Sequence, residues 1–312
     1  MLHTRTLNQF VMYSLLLLLS FAISTTASAG DKTFKPFILA KTLPSTNIDN
    51  IASQTIKKLT DNGFTLAGQY SPYKDTRVLV ITSKALREHA AKSRMGAFGA
   101  ILRVTLTLTD GAIQLAYTNP VYMAHVYRMK NDLADITGKL ATVLGSEKEY
   151  GPDEGLTKDD LRSYQYKWLM PYFTDLHELG DYGSQESALA EIEKRLATKP
   201  GGVSKVYRVD IPGKQESIIG LALPGPESNE CSGDQYIMSR IDFKKIKSAG
   251  HLPYEVIVSS GKVYALYAEF RIAINFPDLS MMGSNSFASI MCAPEAIKSA
   301  LTKATGRKSE EF

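Results

Sequence analysis

The feature that most constrains this chain is a hairpin signal that occurs twice. Residues 96–120 read GAFGAILRVTLTLTDGAIQLAYTNP. Leu102, Val104, Leu106 and Leu108 alternate with Arg103, Thr105 and Thr107, the period-two pattern of a strand with one buried face. Thr109-Asp110-Gly111 is a tight-turn signal, because glycine takes the positive φ that hairpin turns demand. AIQLAY then returns as the partner strand. Residues 250–270, GHLPYEVIVSSGKVYALYAEF, repeat this order, with Ser259-Ser260-Gly261 as the turn. Ile113, Leu115 and Tyr117 fall on Val263, Ala265 and Tyr267.

The match extends outward. IASQTIKKLTDNGF and SALAEIEKRLATKPGG both carry apolar residues at helical spacing and run into glycine, at Gly63 and Gly201. TLAGQY and VSKVYRV follow as strands, with Tyr70 against Tyr207. RVLVIT and SIIGLAL are second strands. DLADITGKLATVLG and APEAIKSALTKATG are closing helices ending at Gly145 and Gly306. The separation between matched residues grows along the chain, so the second copy holds two insertions. The expected class is α+β: two tandem copies, each with helices packed on one face of an antiparallel sheet, and pairing of the copies within the chain. The expected division is residues 30–145, an aromatic-rich helical bridge over 146–183, and a second, diverged copy over 184–312. In the bridge, Thr157 and Asp160 stand at capping-box spacing, and Leu161, Tyr164 and Trp168 share a helical face.

Residues 1–29 read as a targeting segment, with Arg5, an apolar run over 10–24 and a small-x-small site at 27–29. That run is short for a span of roughly 20 residues, so a cleaved signal peptide is expected, leaving no stable membrane anchor, with a periplasmic or secreted address. A formal charge of +4 on 312 residues is nearly balanced and argues against a nucleic-acid partner. In an oxidising compartment Cys231 and Cys292 can pair. Each adjoins one of the insertions, at PGPESNECSGDQ and PDLSMMGSNSF, and a disulfide between them is expected.

NGFTLAG, RVLVITSKALREHAA and the hairpin ending in Asn119-Pro120 resemble domain-of-unknown-function family 302. The second copy matches at LPYEVIV, residues 252–258. It departs where the second helix, at 83–92, is replaced by GPESNECSGDQ. The resemblance implies helices on one face of an antiparallel sheet, in paired units. It implies no reaction.

There is no glycine-rich phosphate loop, His-Glu-x-x-His, Cys-x-x-Cys or Gly-x-Ser-x-Gly. Three constellations carry possible chemistry. In VYMAHVYRM, an extended backbone would put Met123, His125 and Met129 on one face, a copper-type ligand set. If the segment is helical, only His125 and Met129 align. Methionine as a gap filler is the preferred reading, and no cofactor is otherwise expected. In VYALYAEFRIAINF, a strand over 263–276 would put Tyr267, Glu269 and Arg271 on one polar face, beside His251, Tyr254 and Glu255. Such a set could hold an anionic ligand or do acid–base work. The aromatic bridge, with Tyr164, Tyr166, Trp168, Tyr172 and Phe173, could line a pocket. The expected function is a non-catalytic module binding a small molecule or protein. The alternative is an exported small-molecule enzyme using the polar face of the second copy.

Overall fold

Both hairpins form where the sequence places them. In the computed structural model, which describes residues 31–225 and 230–306, Asp110 and Gly111 take φ of 51° and 76°, and Ser260 and Gly261 take 51° and 88°. Positive φ at both turn residues is the type I′ geometry that matches strand twist. The expected targeting segment over 1–29 lies outside the described residues.

From Thr33 onward the chain is one unit. It opens with β1 (Thr33–Phe34) and β2 (Phe37–Leu43), then α1 (Ile48–Asp61), β3 (Thr65–Tyr70), β4 (Thr76–Thr82) and α2 (Lys84–Ala91). A 3-10 turn (Gly96–Gly99) leads into β5 (Leu102–Thr109) and β6 (Ala112–Thr118), followed by α3 (Pro120–Val126), α4 (Ala134–Leu144) and β7 (Lys148–Tyr150). Strands β2 to β7 form one sheet, in the order β3-β4-β5-β6-β2-β7. Helix α1 starts because the Asn47 side chain accepts from the Asn50 N–H at 2.9 Å, and it stops at Gly63, where φ is 77°. Its apolar stripe buries Ala52 and Leu59, and α1 and α4 pack on one face of the sheet.

The expected helical bridge is mostly not helical. It holds β8 (Leu156–Thr157), which pairs with β1, the short α5 (Lys158–Arg162), and β9 (Leu176–Asp181). The capping box at Thr157 and Asp160 is formed. Because α5 ends at Arg162, Trp168 does not share a face with the buried Leu161 and Tyr164 and stands 84% exposed. Strand β9 belongs to the second sheet.

That sheet is built from α6 (Gln185–Ala197), β10 (Ser204–Asp210), β11 (Glu216–Ala222), α7 (Asp234–Ile241), β12 (Tyr254–Ser259), β13 (Lys262–Leu266), α8 (Ala268–Ala273) and α9 (Ala293–Thr305). Its order is β10-β11-β12-β13-β9, with α6 and α9 on one face. This strand order is the one β3, β4, β5, β6 and β2 follow in the first sheet. Helix α7 follows β11 as α2 follows β4, so a helix is present where the sequence reading expected its replacement.

The hairpin register differs from the sequence match. Val104 pairs with Tyr117 and Val256 with Ala265, which sets Ala265, not Tyr267, in the place of Tyr117. The first hairpin continues past Thr107, opposite Thr76, through Leu108 and Thr109. The second turns directly after Ser259, opposite Glu216. A shorter hairpin slides the return strand, and Tyr267 falls beyond the sheet.

The faces not covered by helices turn toward each other. The 3-10 turn at Gly96–Gly99 abuts β11 and β12, and a 3-10 turn at Ala249–His251 abuts β4, β5 and β6. Edge strands β3 and β10 run close: a Cβ on Gly68 would stand 2.1 Å from the Val206 carbonyl oxygen. Only glycine allows that approach.

Cys231 and Cys292 form the expected disulfide, with Cα atoms 5.8 Å apart. It ties the start of α9 to the insertion before α7 and closes a loop of sequence separation 61. In the chain-entropy account such a loop contributes about 4 kcal/mol. Replacing both residues, Cys231→Ser with Cys292→Ser, should lower the urea-derived unfolding free energy by about that amount. A loss well under 1 kcal/mol would show that the loop is ordered without the bridge.

Candidate functional site

Where the two sheets meet, β5 contributes Arg103 and β12 contributes Glu255. Arg103 stands opposite Val80 on β4, and Glu255 opposite Gly220 on β11, so the two side chains leave equivalent positions on the two sheets. The Arg103 guanidinium donates to Glu255 Oε1. Tyr207 Oη donates to the same oxygen at 2.8 Å. Arg271 on α8 brings Nε to 3.5 Å from Glu255 Oε2 and donates to the His251 carbonyl through Nη2. His251 Nε2 meets Tyr254 Oη at 3.0 Å. Burial, reinforced by Arg271, pushes the Arg103 guanidinium down to about 10, which leaves it charged at neutral pH. Burial, again with Arg271 beside it, holds the His251 imidazole far below its usual value and therefore neutral.

Four of the six expected ligand residues thus sit inside the molecule. His251, Tyr254, Glu255 and Arg271 are 0–5% exposed. Their arrangement joins the sheets and offers no open acid–base centre. The expected strand over 263–276 ends at Leu266. The residues that follow form α8, buried on nearly every side apart from Glu269, and an all-round apolar segment this short has no period to separate strand from helix. The helix sends Arg271 inward and Glu269 outward.

Tyr267 and Glu269 are the two expected residues that reach a concave surface. They line a groove of about 530 Å³ with His177 of β9, the Met281 and Met282 loop, Phe287, Ile290, Met291 and the first turns of α9. The Tyr267 ring stacks on the His177 imidazole, centroids 3.7 Å apart and planes at 29°. Partial burial and Lys298 lower the His177 pKa, favouring the neutral ring. Glu269 makes no hydrogen bond or ion pair among the described residues. Sequence reasoning missed His177, which was assigned to the bridge. It also passed over the methionines, although Met281, Met282 and Met291 crowd one short segment.

A second trough, of about 710 Å³, adjoins the groove and shares Met281 with it. Of the five bridge aromatics expected to line a pocket, Tyr164, Tyr166 and Tyr172 line it with Gln165, Asp278 and Ser280, whereas Trp168 stands exposed and Phe173 is buried in the core. The trough's polar atoms are largely engaged within the protein. Tyr164 Oη donates to Ala273 O, Tyr166 Oη to Leu279 O, and Tyr172 Oη to Gln165 Oε1.

Met123, His125 and Met129 do not share a face. Pro120 sits at the first helical position, pre-set for it, and α3 replaces the extended backbone. Side chains two apart on a helix diverge by about 200°. Met129 lies beyond the helix and packs against Gly99, and His125 packs against Phe34, ring centroids 5.6 Å apart. Among the described residues no group of three or more His, Cys, Asp or Glu side chains is placed to hold a metal ion. Nor is any helix among them long and apolar enough to cross a membrane.

Scans against protein-family models, curated proteins and solved structures find no match.

Two predictions follow from the inner seam. Glu255→Gln leaves two buried guanidinium groups without their carboxylate and should cost about 3–5 kcal/mol by urea denaturation. A loss below about 1 kcal/mol would show that water already screens the site. The second concerns Asp234, the first residue of α7, which accepts from Tyr70 Oη of β3 at 3.0 Å. Burial pushes this carboxyl up to about 7, against the opposing hydrogen bonds from Tyr70 and Leu223. The folded state keeps the proton where the unfolded chain, near 3.9, has lost it. Its contribution is full below about pH 4 and is lost as pH rises through about 7. The stability of wild type minus that of Asp234→Asn should therefore fall across this window, and a flat difference would refute the assignment.

Proposed function

We propose that this is an exported, non-catalytic binding protein, built by duplication of one helix-on-sheet unit resembling domain-of-unknown-function family 302. Its ligand site is the groove beside Tyr267. The observation that carries this reading is the division of the polar residues near the second sheet. His251, Glu255 and Arg271 are consumed in joining the sheets, whereas Tyr267, Glu269 and His177 face a groove with thioether and aromatic walls. A groove of several hundred Å³ with few polar groups suits a small ligand. The order β3-β4-β5-β6-β2 within the first sheet, matched by β10-β11-β12-β13-β9 in the second, supports the duplication, and the Cys231–Cys292 bridge supports an oxidising compartment.

Ala288 lines the groove within the 3-10 turn Phe287–Ile290. Ala288→Trp should fill it without touching the seam. In a thermal-shift screen of small molecules on the purified chain, a ligand that stabilises the wild type should fail to shift Ala288→Trp. Equal shifts in both proteins would place binding elsewhere.

A further inference from the structure

We infer that the groove binds a soft monovalent metal ion, Cu(I), through the thioethers of Met281, Met282 and Met291 with the His177 imidazole. This rests on the groove being the ligand site and names the chemistry of its occupant.

Three observations carry it. First, the methionines are displayed rather than packed. Methionine usually fills gaps in cores, as Met129 does against Gly99. Met282 and Met291 are instead 76% and 79% exposed, and Met281 41%, yet all three line one groove. Second, hydrogen bonds gather their backbones. The Ala288 N–H donates to the Met281 carbonyl at 3.1 Å, and the Ala288 carbonyl accepts from the Met291 N–H at 3.4 Å. Ser280 Oγ accepts from the Met282 N–H and donates to the Met282 carbonyl. The disulfide at Cys292 anchors the residue directly after Met291. Third, the remaining groups suit a cation of charge one. The His177 imidazole makes no hydrogen bond among the described residues and lines the same groove, its ring stacked on Tyr267. Glu295 and Lys298 offset each other, 3.6 Å apart, leaving the Glu269 carboxylate as the uncompensated charge.

Thioether sulfur is a soft, neutral donor, and soft donors select Cu(I) over zinc, calcium or magnesium. The three-carboxylate or histidine sets those ions favour are not found among the described residues. Binding forms dative sulfur and nitrogen bonds only. No electron moves, since copper enters and stays as Cu(I).

The test titrates the purified, disulfide-intact chain with Cu(I) under anaerobic conditions against a Cu(I) chelator, and with Ag(I) as a redox-inert surrogate. One equivalent should be retained. The triple variant Met281→Leu, Met282→Leu, Met291→Leu keeps volume and apolarity and should fold with an unchanged Tm. Its affinity should drop by more than the ~100-fold that loss of a mere outer partner can cost. His177→Gln should weaken binding less. Met123→Leu with Met129→Leu should leave it unchanged. No retention by the wild type, retention by the triple variant, or loss in the Met123 and Met129 variant would each overturn the inference. The Ala288→Trp screen with organic ligands reads the groove separately, so failure with copper leaves that result standing.

Discussion

The carboxylate of Glu255, held between two guanidinium groups, is the contact on which the two-sheet arrangement depends. A sheet covered by helices on one face must do something with the other. Here Arg103, Thr105 and Thr107 lie on that other face of β5, and all three are buried. Burying Arg103 without a partner would cost several kcal/mol. Glu255, at the equivalent position of the second sheet, removes that cost and orients Arg271 and Tyr207 in the same step. An ion network of this kind stabilises less than an apolar interface of equal volume, but a slip of one residue would bury an unpaired charge.

The groove exists because the two halves are not equal. The segment between α8 and α9 contains PDLSMMGSNSFASIM, for which the first half has only a short connection between α3 and α4. Long insertions are costly to order. This one is held by a capping box at Ser286 and Ser289, by the backbone bonds around Ala288, and by the disulfide at its end. The result is a rim of exposed methionines placed against β9 and α8. The proposed ligand groove lies at this segment, where the two halves differ in length.

Much of the local structure is legible in the residues. The type I′ turns follow from Asp110-Gly111 and Ser260-Gly261, since few other pairs accept positive φ twice. The helix at 185–197 follows from Ala188, Ile192 and Leu196, with Ser184 capping its start. The pairing of Cys231 with Cys292 follows from their lying beside the two insertions. Helix α8 was not legible. Its residues are apolar nearly all round, and a six-residue buried segment carries no period that distinguishes helix from strand.

The sequence by itself determined the two hairpins with their turns and the buried faces of the amphipathic helices α1 and α6, because each rests on interactions among residues close in the chain. Only the tertiary structure decided which polar residues meet solvent. Alternation along β5 assigns Arg103 to a polar face but cannot say what lies opposite that face. The partner, Glu255, is 152 residues away, and it arrives only when the second sheet docks. The same holds for the groove. Glu269 and Arg271 differ by two positions, and the turn of one short helix sends one to the groove and the other into the ion network.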